Sequence, residues 1–456
     1  MDSTRFVARR NLLKFAGAGL AAAAMWPRLV TAQSAAPDYR ALVCVLMEGG
    51  NDGENTLIRH DLAGYQQYAA VRPAASGINI PQSALLPVQP ASLGVPYGFH
   101  PACSHLQQLF NQKKLAVVAN MGNLVRPVTR AGLLSNTEPR PSQLFNHIDQ
   151  ARQAQTADAA DVTQTGWGGR IADRLSALNG TSVFPPLTTL GDTRTFISGN
   201  STIPLALPIH DFFSIFPTDN FQLTGLRDAA LLQMLAEARD NFYEQAAQTL
   251  SRQGLQSSDV VNPIFKNQNT PATALFKGLN SPISQQFRQV ARLIESRGAT
   301  GLKRQVFFVR QPLYDTHFNQ LADHNLLLGD LSQALRTFTD AMAMLDVERS
   351  VTTFTLSDFG RTFKPASGGG TDHGYGNYAF ALGGAVKGGD FYGKVPTLAL
   401  GGPDDIGDDG RWIPTTSTEQ FGATLASWFG LDAAALGYVF PNLGNFATTN
   451  IGFMTG

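Results

Sequence analysis

The chain has 456 residues, and its 35 basic and 35 acidic side chains give a formal net charge of zero. Because there is no basic surplus to attract a phosphate backbone, nucleic-acid binding is not expected. The two cysteines, Cys44 and Cys103, are too few for a thiolate metal site; Cys44 lies in an apolar run and is expected in the core, with a disulfide as the alternative.

The first 32 residues have the three parts of an export signal. Arg9 and Arg10 come first, an apolar run follows, and Val30-Thr31-Ala32 offers a small-residue cleavage site. The paired arginines and the Asn-Leu-Leu-Lys after them resemble a twin-arginine signal, so we expect the twin-arginine translocase as a partner and a periplasmic or secreted location. The apolar run is shorter than the roughly 20 residues that span a bilayer. No stable membrane span is therefore expected after cleavage, although retention as an anchor is the alternative.

Removal of this leader changes the charge of the chain. It carries five basic residues and one acidic residue, so the remaining chain has 30 basic and 34 acidic side chains. The exported protein is therefore expected to be weakly acidic.

Short apolar runs separated by helical patterns predict the fold. The runs are nearly continuous rather than alternating, which is typical of strands in a sheet that is covered on both faces. Strand and helix in repeated succession indicate an α/β fold, with a mostly parallel central sheet flanked by helices. The predicted strands are residues 41–47, 115–121, 305–310, 350–356 and 378–384.

The middle of the chain is predicted to be helical. Residues 225–252 have the pattern of one long amphipathic helix, and another helix is expected at 282–297. We interpret roughly 220–300 as a helical insertion in a single domain that covers residues 38–456. Residues 125–165 lack apolar periodicity and are predicted to be a long loop over the active face.

Acidic and imidazole side chains follow the predicted strands or precede the last one. Ligands of α/β sheets gather beyond the carboxyl ends of the strands, so we expect these side chains at one edge. They come from four separate segments of the chain. They are Asp52; Asp315, His317 and His324; Asp358, with the basic Arg361 three residues after it; and Asp372 and His373.

Crowded carboxylates repel one another unless a cation compensates their charge, so this set predicts a site for divalent metal ions. Imidazole with carboxylate is typical of zinc, manganese or iron. Zinc is our leading choice, with manganese, iron or calcium as alternatives. Structural roles are the competing interpretation: Asp52 in a turn, Asp315 as a helix cap, and Asp358 as a cap whose salt-bridge partner is Arg361.

Five segments then make the chain recognisable: EGGNDGENT, YDTHFNQ, SDFGRT, GGGTDHGYGNYAFALGGAVKGGDFYG and IPTTSTEQFGATLASWFG. From about residue 40 to the C-terminus, the sequence resembles the exported bacterial family called domain of unknown function 1501. That family looks like a branch of the alkaline phosphatase and sulfatase superfamily, whose members hydrolyse phosphate or sulfate esters with two metal sites.

The resemblance implies metal ligands. Asp52 matches the first-strand metal aspartate, and Asp315 with His317 matches a later ligand segment in which His324 competes with His317. Asp358 follows a strand as expected, but Phe359 stands where the superfamily has histidine.

His373, with Asp372 beside it, is the candidate to supply this missing imidazole. Arg361 is expected to hold the substrate anion.

The nucleophile is the main departure from the family pattern. The segment RPSQLFNHIDQ has Asn146 where the family carries serine, followed by His147. Ser142 is a candidate substitute, with His147 beside it as a possible catalytic residue, and direct attack by water is the alternative. The leading hypothesis is therefore a metal-dependent hydrolase acting on a small or polymeric phosphate or sulfate ester. The competing hypothesis is an exported metal-binding or assembly protein without turnover.

Overall fold

A mixed sheet of nine strands runs through the described part of the chain. The computed structural model describes residues 38–192, 194–209 and 221–455, so the predicted leader, 1–32, lies outside the described residues. The strands in the described residues are β1 (Arg40–Met47), β2 (Leu57–Arg59), β3 (Leu86–Val88), β4 (Tyr97–Phe99), β5 (Leu115–Gly122), β6 (Leu187–Leu190), β7 (Leu205–Leu207), β8 (Arg304–Gln311), β9 (Val351–Ser357), β10 (Arg361–Ala366), β11 (Gly370–His373), β12 (Asn377–Leu382), β13 (Phe391–Tyr392) and β14 (Thr416–Ser417).

The main sheet has the order β13-β5-β12-β9-β1-β8-β6-β7, and β14 pairs with β5 beside this path. All its recorded pairings are parallel except those of β12, which runs antiparallel to both β5 and β9. The start of β12 therefore lies at the same edge as the carboxyl ends of β1, β8 and β9. Two small sheets complete the set: the β10–β11 hairpin and the triplet β2-β4-β3.

Helices cover this sheet. They are α1 (Gly53–Thr56), α2 (Leu62–Val71), α3 (Ser104–Asn111), α4 (Arg130–Leu134), α5 (His147–Thr156), α6 (Trp167–Leu175), α7 (Phe221–Ala236), α8 (Phe242–Lys266), α9 (Pro271–Ala274), α10 (Pro282–Glu295), α11 (Arg297–Thr300), α12 (Gln320–Met344), α13 (Thr418–Phe429) and α14 (Ala433–Val439). Short 3₁₀ helices span Ala74–Ser76, Gln82–Ala84, Pro101–Cys103, Ser176–Asn179, Thr195–Ile197 and Leu443–Asn445.

Both faces of the sheet are buried, and strand β1 shows why its sequence is continuously apolar. Val43 and Val45 point into one hydrophobic cluster, which contains side chains of α3, α10 and α12. Leu42 and Cys44 point into a second cluster, with side chains of α6 and α13. Successive strand residues face opposite sides, so a strand between two helical layers needs apolar residues at every position. The predicted α/β fold with a mostly parallel sheet between helices is confirmed.

Several details differ from the sequence predictions. The helix predicted at 225–252 is two helices, because α7 ends at Ala236 and Asn241 caps α8 by accepting from the backbone N–H groups of Tyr243 and Glu244. The loop predicted at 125–165 contains α4 and α5.

The five predicted strands correspond to β1, β5, β8, β9 and β12. Helix α10 packs on α12 and β8, so it belongs to the layer that covers the sheet. Reading roughly 220–300 as an insertion remains a prediction.

Cys44 and Cys103 are both buried and free, so the alternative of a disulfide between them is not realised and the core role of Cys44 is confirmed. Among the described helices, none combines the length and apolar character that crossing a bilayer requires. Residues from Tyr39 onward cluster into a single unit.

The core makes a direct stability prediction at Phe354 in β9. Its side chain is fully buried and its ring lies 5.1 Å from that of Trp167 and 5.8 Å from that of Phe421, centroid to centroid. We expect Phe354→Ala to lower the free energy of unfolding by about 3–5 kcal/mol, because a large cavity remains. Urea unfolding measures the change. The control Phe242→Ala removes a ring that is 76% exposed and should change stability by no more than about 0.5 kcal/mol; equal losses would contradict the packing described.

Candidate metal centre

The carboxyl ends of three central strands bring the candidate residues to one edge of the sheet. Asp358 directly follows β9, and Asp315 lies four residues after β8. Asp372 and His373 belong to β11, the second strand of the hairpin that lies between β9 and β12. Because β12 is antiparallel, the hairpin returns to this edge rather than to the opposite one.

Helix α5 contributes His147, which the sequence indicated only as a candidate catalytic residue. Asn146 is its N-cap, and the amide oxygen accepts from the backbone N–H groups of Ile148 and Asp149 at 2.9 and 3.3 Å. His147 is therefore the first helical residue, and its ring reaches the hairpin. Asparagine is a favoured N-cap, so the residue at 146 has a structural reason to be there.

Three side-chain atoms from separate segments form the centre of the site. The Nε2 atom of His147 lies 3.0 Å from Nε2 of His373 and 3.3 Å from Oδ1 of Asp315, and the last two atoms lie 3.4 Å apart. We call His147, Asp315 and His373 the donor triangle. Within the described residues it is the group whose ligand atoms lie close enough together to hold a metal ion.

The outer nitrogens of the two triangle histidines are held by acceptors. His147 Nδ1 lies 2.8 Å from Oδ2 of Asp358, and His373 Nδ1 lies 2.7 Å from the carbonyl oxygen of Phe145. A carbonyl oxygen only accepts, so His373 Nδ1 carries the proton and its Nε2 has a free lone pair when the ring is neutral. This is the usual arrangement of metal-binding histidines, whose second nitrogen donates to a carboxylate or carbonyl.

A second imidazole–carboxylate pair stands beside the triangle. His317 Nε2 lies 3.0 Å from Nε2 of His373 and 2.9 Å from Oδ1 of Asp315, and its Nδ1 lies 3.1 Å from Oδ1 of Asp372. The side chains of His317 and Asp372 are 32% and 57% exposed, more than those of His147 and Asp358. Asp372 is therefore the side chain of the site that is most open to solvent, followed by Asp315 at 44%.

Arg361 lies behind the triangle carboxylate. Its Nη1 donates to Oδ1 of Asp315 at 2.8 Å and to the carbonyl of Gly49 at 3.0 Å, and its Nε donates to the hydroxyl of Thr371 at 2.9 Å. The Arg361 side chain is fully buried. These contacts make it a residue that orients Asp315, whereas the predicted role in holding a substrate anion would require an exposed guanidinium.

Burial and neighbouring charges shift the pKa values of the side chains in the site. Burial opposes ionisation of Asp315, but the Arg361 guanidinium outweighs it and holds the pKa of the carboxyl below its usual value. Burial also opposes charging of His147, yet the hydrogen bond that its Nδ1–H donates to Asp358 prevails and raises the pKa of His147. Burial lowers the pKa of His373 and raises that of Asp358. Oδ1 of Asp358 is buried and lacks a hydrogen-bond partner among the described residues.

Asp52 has a different neighbourhood from the one the sequence predicted. Its Oδ1 accepts from the backbone N–H of Asn55 at 3.1 Å and from Arg72 Nη2 at 3.2 Å. Its Oδ2 accepts from Arg72 Nη1 at 2.9 Å and from Gln320 Nε2 at 2.5 Å. A carboxylate has about four acceptor positions, so protein donors fill all of them and we leave Asp52 out of the metal-ligand set.

The two histidines that compete as metal ligands, His317 and His324, have different surroundings. His324 is buried, lies 2.9 Å from the amide oxygen of Asn51 through Nε2, and has its pKa lowered to about 3 by burial. His317 faces the donor triangle instead. Phe359, which replaces the expected histidine, packs its ring 4.7 Å from that of His147 and 5.0 Å from that of His373.

Ser142 is exposed, and its carbonyl oxygen accepts from the side-chain amides of Gln150 and Gln153. These bonds fix its backbone to α5. Its role as a nucleophile stays a prediction.

Two glycines allow the ligand segments to approach closely. Gly49 has φ of +116°, and a Cβ there would lie 2.5 Å from the backbone nitrogen of Asp315. A Cβ on Gly370 would lie 2.3 Å from the carbonyl of His317. Near the same segments, Phe145 and Leu313 have φ of 75° and 80°, an unfavourable backbone that clusters at functional sites.

Residues 39–440 match the family described as "Protein of unknown function (DUF1501)". The chain belongs to this family. No curated protein matches the chain.

Solved structures similar to this DUF1501 chain share little sequence with it. The lipoteichoic acid synthase LtaP from Listeria monocytogenes is 8% identical with a TM-score of 0.36, over 86% of this chain and 72% of that one. A zinc complex of the C-terminal periplasmic domain of EptC from Escherichia coli is 11% identical with a TM-score of 0.32, over 87% and 83%. An alkaline phosphatase superfamily protein from Vibrio parahaemolyticus is 12% identical with a TM-score of 0.34, over 87% and 67%. Likeness at this level does not establish a shared activity.

The ion pair between Asp52 and Arg72 generates a pH-dependent prediction. In the wild type, burial disfavours the ionised Asp52, but Arg72 prevails and lowers its pKa, so the pair stabilises the fold above the unfolded pKa of about 3.9. We expect Arg72→Met to lose about 3–5 kcal/mol at pH 8, because a buried charge loses its partner. Burial then raises the Asp52 pKa, so stability falls as pH rises and the loss should be smaller at pH 5. Urea unfolding at both pH values, with chelator present, measures this.

The matched control is the double variant Asp52→Asn with Arg72→Met. It has no ionisable group at position 52, so the difference between its losses at pH 5 and pH 8 should be smaller than in the single variant. The neighbouring Glu54, whose pKa burial raises to about 8 and Arg72 lowers, titrates in both variants. The same pH dependence in both variants would contradict the rise in the Asp52 pKa that we expect when Arg72 is removed.

Proposed function

We propose that this protein is a metal-dependent hydrolase of phosphate or sulfate esters, exported by the leader that resembles a twin-arginine signal. The observation that carries the proposal is the donor triangle. Two imidazole nitrogens and one carboxylate oxygen from distant segments face one another at hydrogen-bond distance. The family itself has no assigned activity, so the site alone supports the chemistry.

The residues present fit a metal ion. The two Nε2 atoms of His147 and His373 are 3.0 Å apart, while their Nδ1 atoms already face acceptors. With both Nδ1 atoms protonated, the lone pairs of neutral rings point at each other, and only a cation or an extra proton between them removes the repulsion. Oδ1 of Asp315 adds a negative charge at the same point, which favours a divalent cation.

The spacing of the triangle favours zinc. Zinc bonds to nitrogen and oxygen are about 2.0–2.1 Å long, so donors at the corners of a tetrahedron lie about 3.3 Å apart. The triangle edges are 3.0, 3.3 and 3.4 Å. Two histidines and one carboxylate also leave the fourth position open, as in catalytic rather than structural zinc sites. An ion held by these three residues would supply Lewis-acid chemistry, polarising an ester oxygen and lowering the pKa of water.

The chain's own residues supply orientation and proton transfer. Asp358 and the Phe145 carbonyl hold the triangle imidazoles by their outer nitrogens, which directs both Nε2 atoms toward the centre of the donor triangle. We assign proton transfer to Nε2 of His317, because Asp372 orients its other nitrogen and the pair is open to solvent. Water is the proposed nucleophile, since Asn146 is a helix cap and Ser142 is anchored through its carbonyl.

The competing function is a metal-binding or assembly protein without turnover, and the experiments below distinguish it from the hydrolase. His317 Nε2 lies close enough to His373 and Asp315 to act as a fourth protein ligand. Four protein ligands close a zinc site and make it structural. That result would favour the metal-binding or assembly protein over the hydrolase.

The metal assignment predicts the zinc content of the purified protein. We expect about one zinc per chain from the donor count of the triangle, and no bound zinc in the His147→Ala, His373→Ala double variant. Elemental mass spectrometry on tag-free protein measures both. His60→Ala removes a histidine that directly follows β2 and is outside the donor triangle; it is the control and should keep its zinc. Zinc retained by the double variant would contradict the proposed site.

The catalytic assignment predicts the behaviour of two further variants. With para-nitrophenyl phosphate and sulfate as substrates, we expect chelator-sensitive hydrolysis that added zinc restores. His317→Ala should keep its zinc and lose activity by about 100-fold or more, because a positioned acid–base group contributes that much. Ser142→Ala should stay active.

Each alternative has its own signature in this assay. Loss of all activity in Ser142→Ala would make serine the nucleophile. Loss of zinc in His317→Ala, together with silence toward both esters in the wild type, would support the closed metal-binding protein instead.

A further inference from the structure

The hydrogen bonds behind the donor triangle converge on one buried amide. Gln320 is the first residue of α12, and its side chain is inaccessible to solvent. Its Nε2 donates to Asp52 at 2.5 Å, across 268 residues of sequence. Its Oε1 accepts from the hydroxyl of Thr371 at 2.5 Å and from that of Thr316 at 3.0 Å.

We infer that Gln320 is a positioning residue for the proposed metal centre. The inference rests on the metal binding proposed above, and it concerns how the chain holds its ligands before any ion arrives. Gln320 does not touch the triangle itself. It acts through the two threonines, each of which is next to or bonded to residues of the site.

The direction of every hydrogen bond in this network is fixed. Asp52 is paired with Arg72 and accepts only, so the Gln320 amide must turn its NH₂ group toward Asp52. Its carbonyl oxygen then faces the threonines, and both hydroxyls must donate to it. The hydroxyl of Thr371 consequently has its lone pairs free for the Nε of Arg361, which donates to it at 2.9 Å.

Arg361 is the last member of the network. It donates in one direction to Thr371 and in the other to Oδ1 of Asp315, which is a corner of the donor triangle. Thr316 gives a second connection, because it lies between Asp315 and His317 in the chain. Rotation of the Gln320 amide would thus misplace a triangle carboxylate by two routes.

Arg72 anchors the network at its far end. Besides pairing with Asp52, it donates to the carbonyls of Thr362 and Phe363 at 3.0 and 2.8 Å. These carbonyls belong to β10, the strand that carries Arg361. The ion pair therefore fixes both the aspartate that orients Gln320 and the strand on which the arginine stands. In this chain a guanidinium supplies the positive charge that Asp52 requires.

The test is the zinc dissociation constant, measured by competition with a chromophoric chelator. We expect Gln320→Ala and Thr371→Val each to weaken zinc binding by about 10-fold to 100-fold, as loss of outer-shell partners does. Both substitutions remove the hydrogen bond between Gln320 and Thr371. The double variant should therefore bind zinc about as weakly as the weaker-binding single variant, and the two losses of affinity should not multiply.

Gln333→Ala is the matched control. Gln333 lies on the same helix and donates to Thr337 at 3.1 Å, within α12 itself. It should bind zinc like the wild type. Unfolding of each zinc-free variant, followed by circular dichroism, confirms that the compared proteins are folded at the assay temperature.

Zinc-binding measurements distinguish failure of the proposed function from failure of the role inferred for Gln320. If wild-type protein does not bind zinc, the proposed function is overturned, and this inference with it. If the wild type binds zinc and Gln320→Ala binds it equally well, or if the two losses multiply in the double variant, the network does not position the site and only the inference is overturned.

Discussion

Three atoms with lone pairs directed at one point impose the main constraint on this site. The Nε2 atoms of His147 and His373 and Oδ1 of Asp315 meet at 3.0–3.4 Å, and none of them can donate to another while the rings are neutral with protonated Nδ1 atoms. These partly exposed side chains tolerate such a contact when a cation or an extra proton lies between them, and the negative charge of Asp315 favours a divalent cation. Asp358 and the Phe145 carbonyl keep the outer nitrogens occupied, and Arg361 keeps the carboxylate ionised and in place.

The fold makes this meeting of distant segments possible. Parallel strands β1, β8 and β9 end at one edge, and the single reversed strand, β12, brings the β10–β11 hairpin back to it. Close approach of the hairpin to the Asp315–His317 segment depends on Gly370, where any side chain would collide with the backbone. Helix α5 then delivers His147 from a fourth segment, and its Asn146 cap sets where the helix begins. Apolar strands covered on both faces give this edge a rigid base.

Much of this arrangement was predictable from the sequence, and the reasons are local. Continuous apolar runs indicated the central strands, and the rule that ligands gather beyond strand ends brought Asp315, His317 and Asp358 together with Asp372 and His373. The same rule misled at Asp52. Nothing near it in sequence indicates that Arg72 takes two of its four acceptor positions, because that contact depends on how α2 packs.

Two further roles were beyond sequence reasoning. Gln320 belonged to a quoted motif, but its bond to Asp52 joins positions 268 residues apart. Arg361 was expected to face substrate, and only the structure shows its guanidinium buried behind Asp315. The sequence pattern and the spacing of the residues therefore located the site. The hydrogen-bond network behind the site is seen only in the structure.

X-ray absorption spectroscopy at the zinc edge, on wild-type protein loaded with one equivalent of zinc, tests the central claim most directly. A first shell of nitrogen and oxygen at about 2.0–2.1 Å is expected, with outer-shell scattering from two imidazole rings. A spectrum without imidazole scattering would contradict the donor triangle as the metal centre.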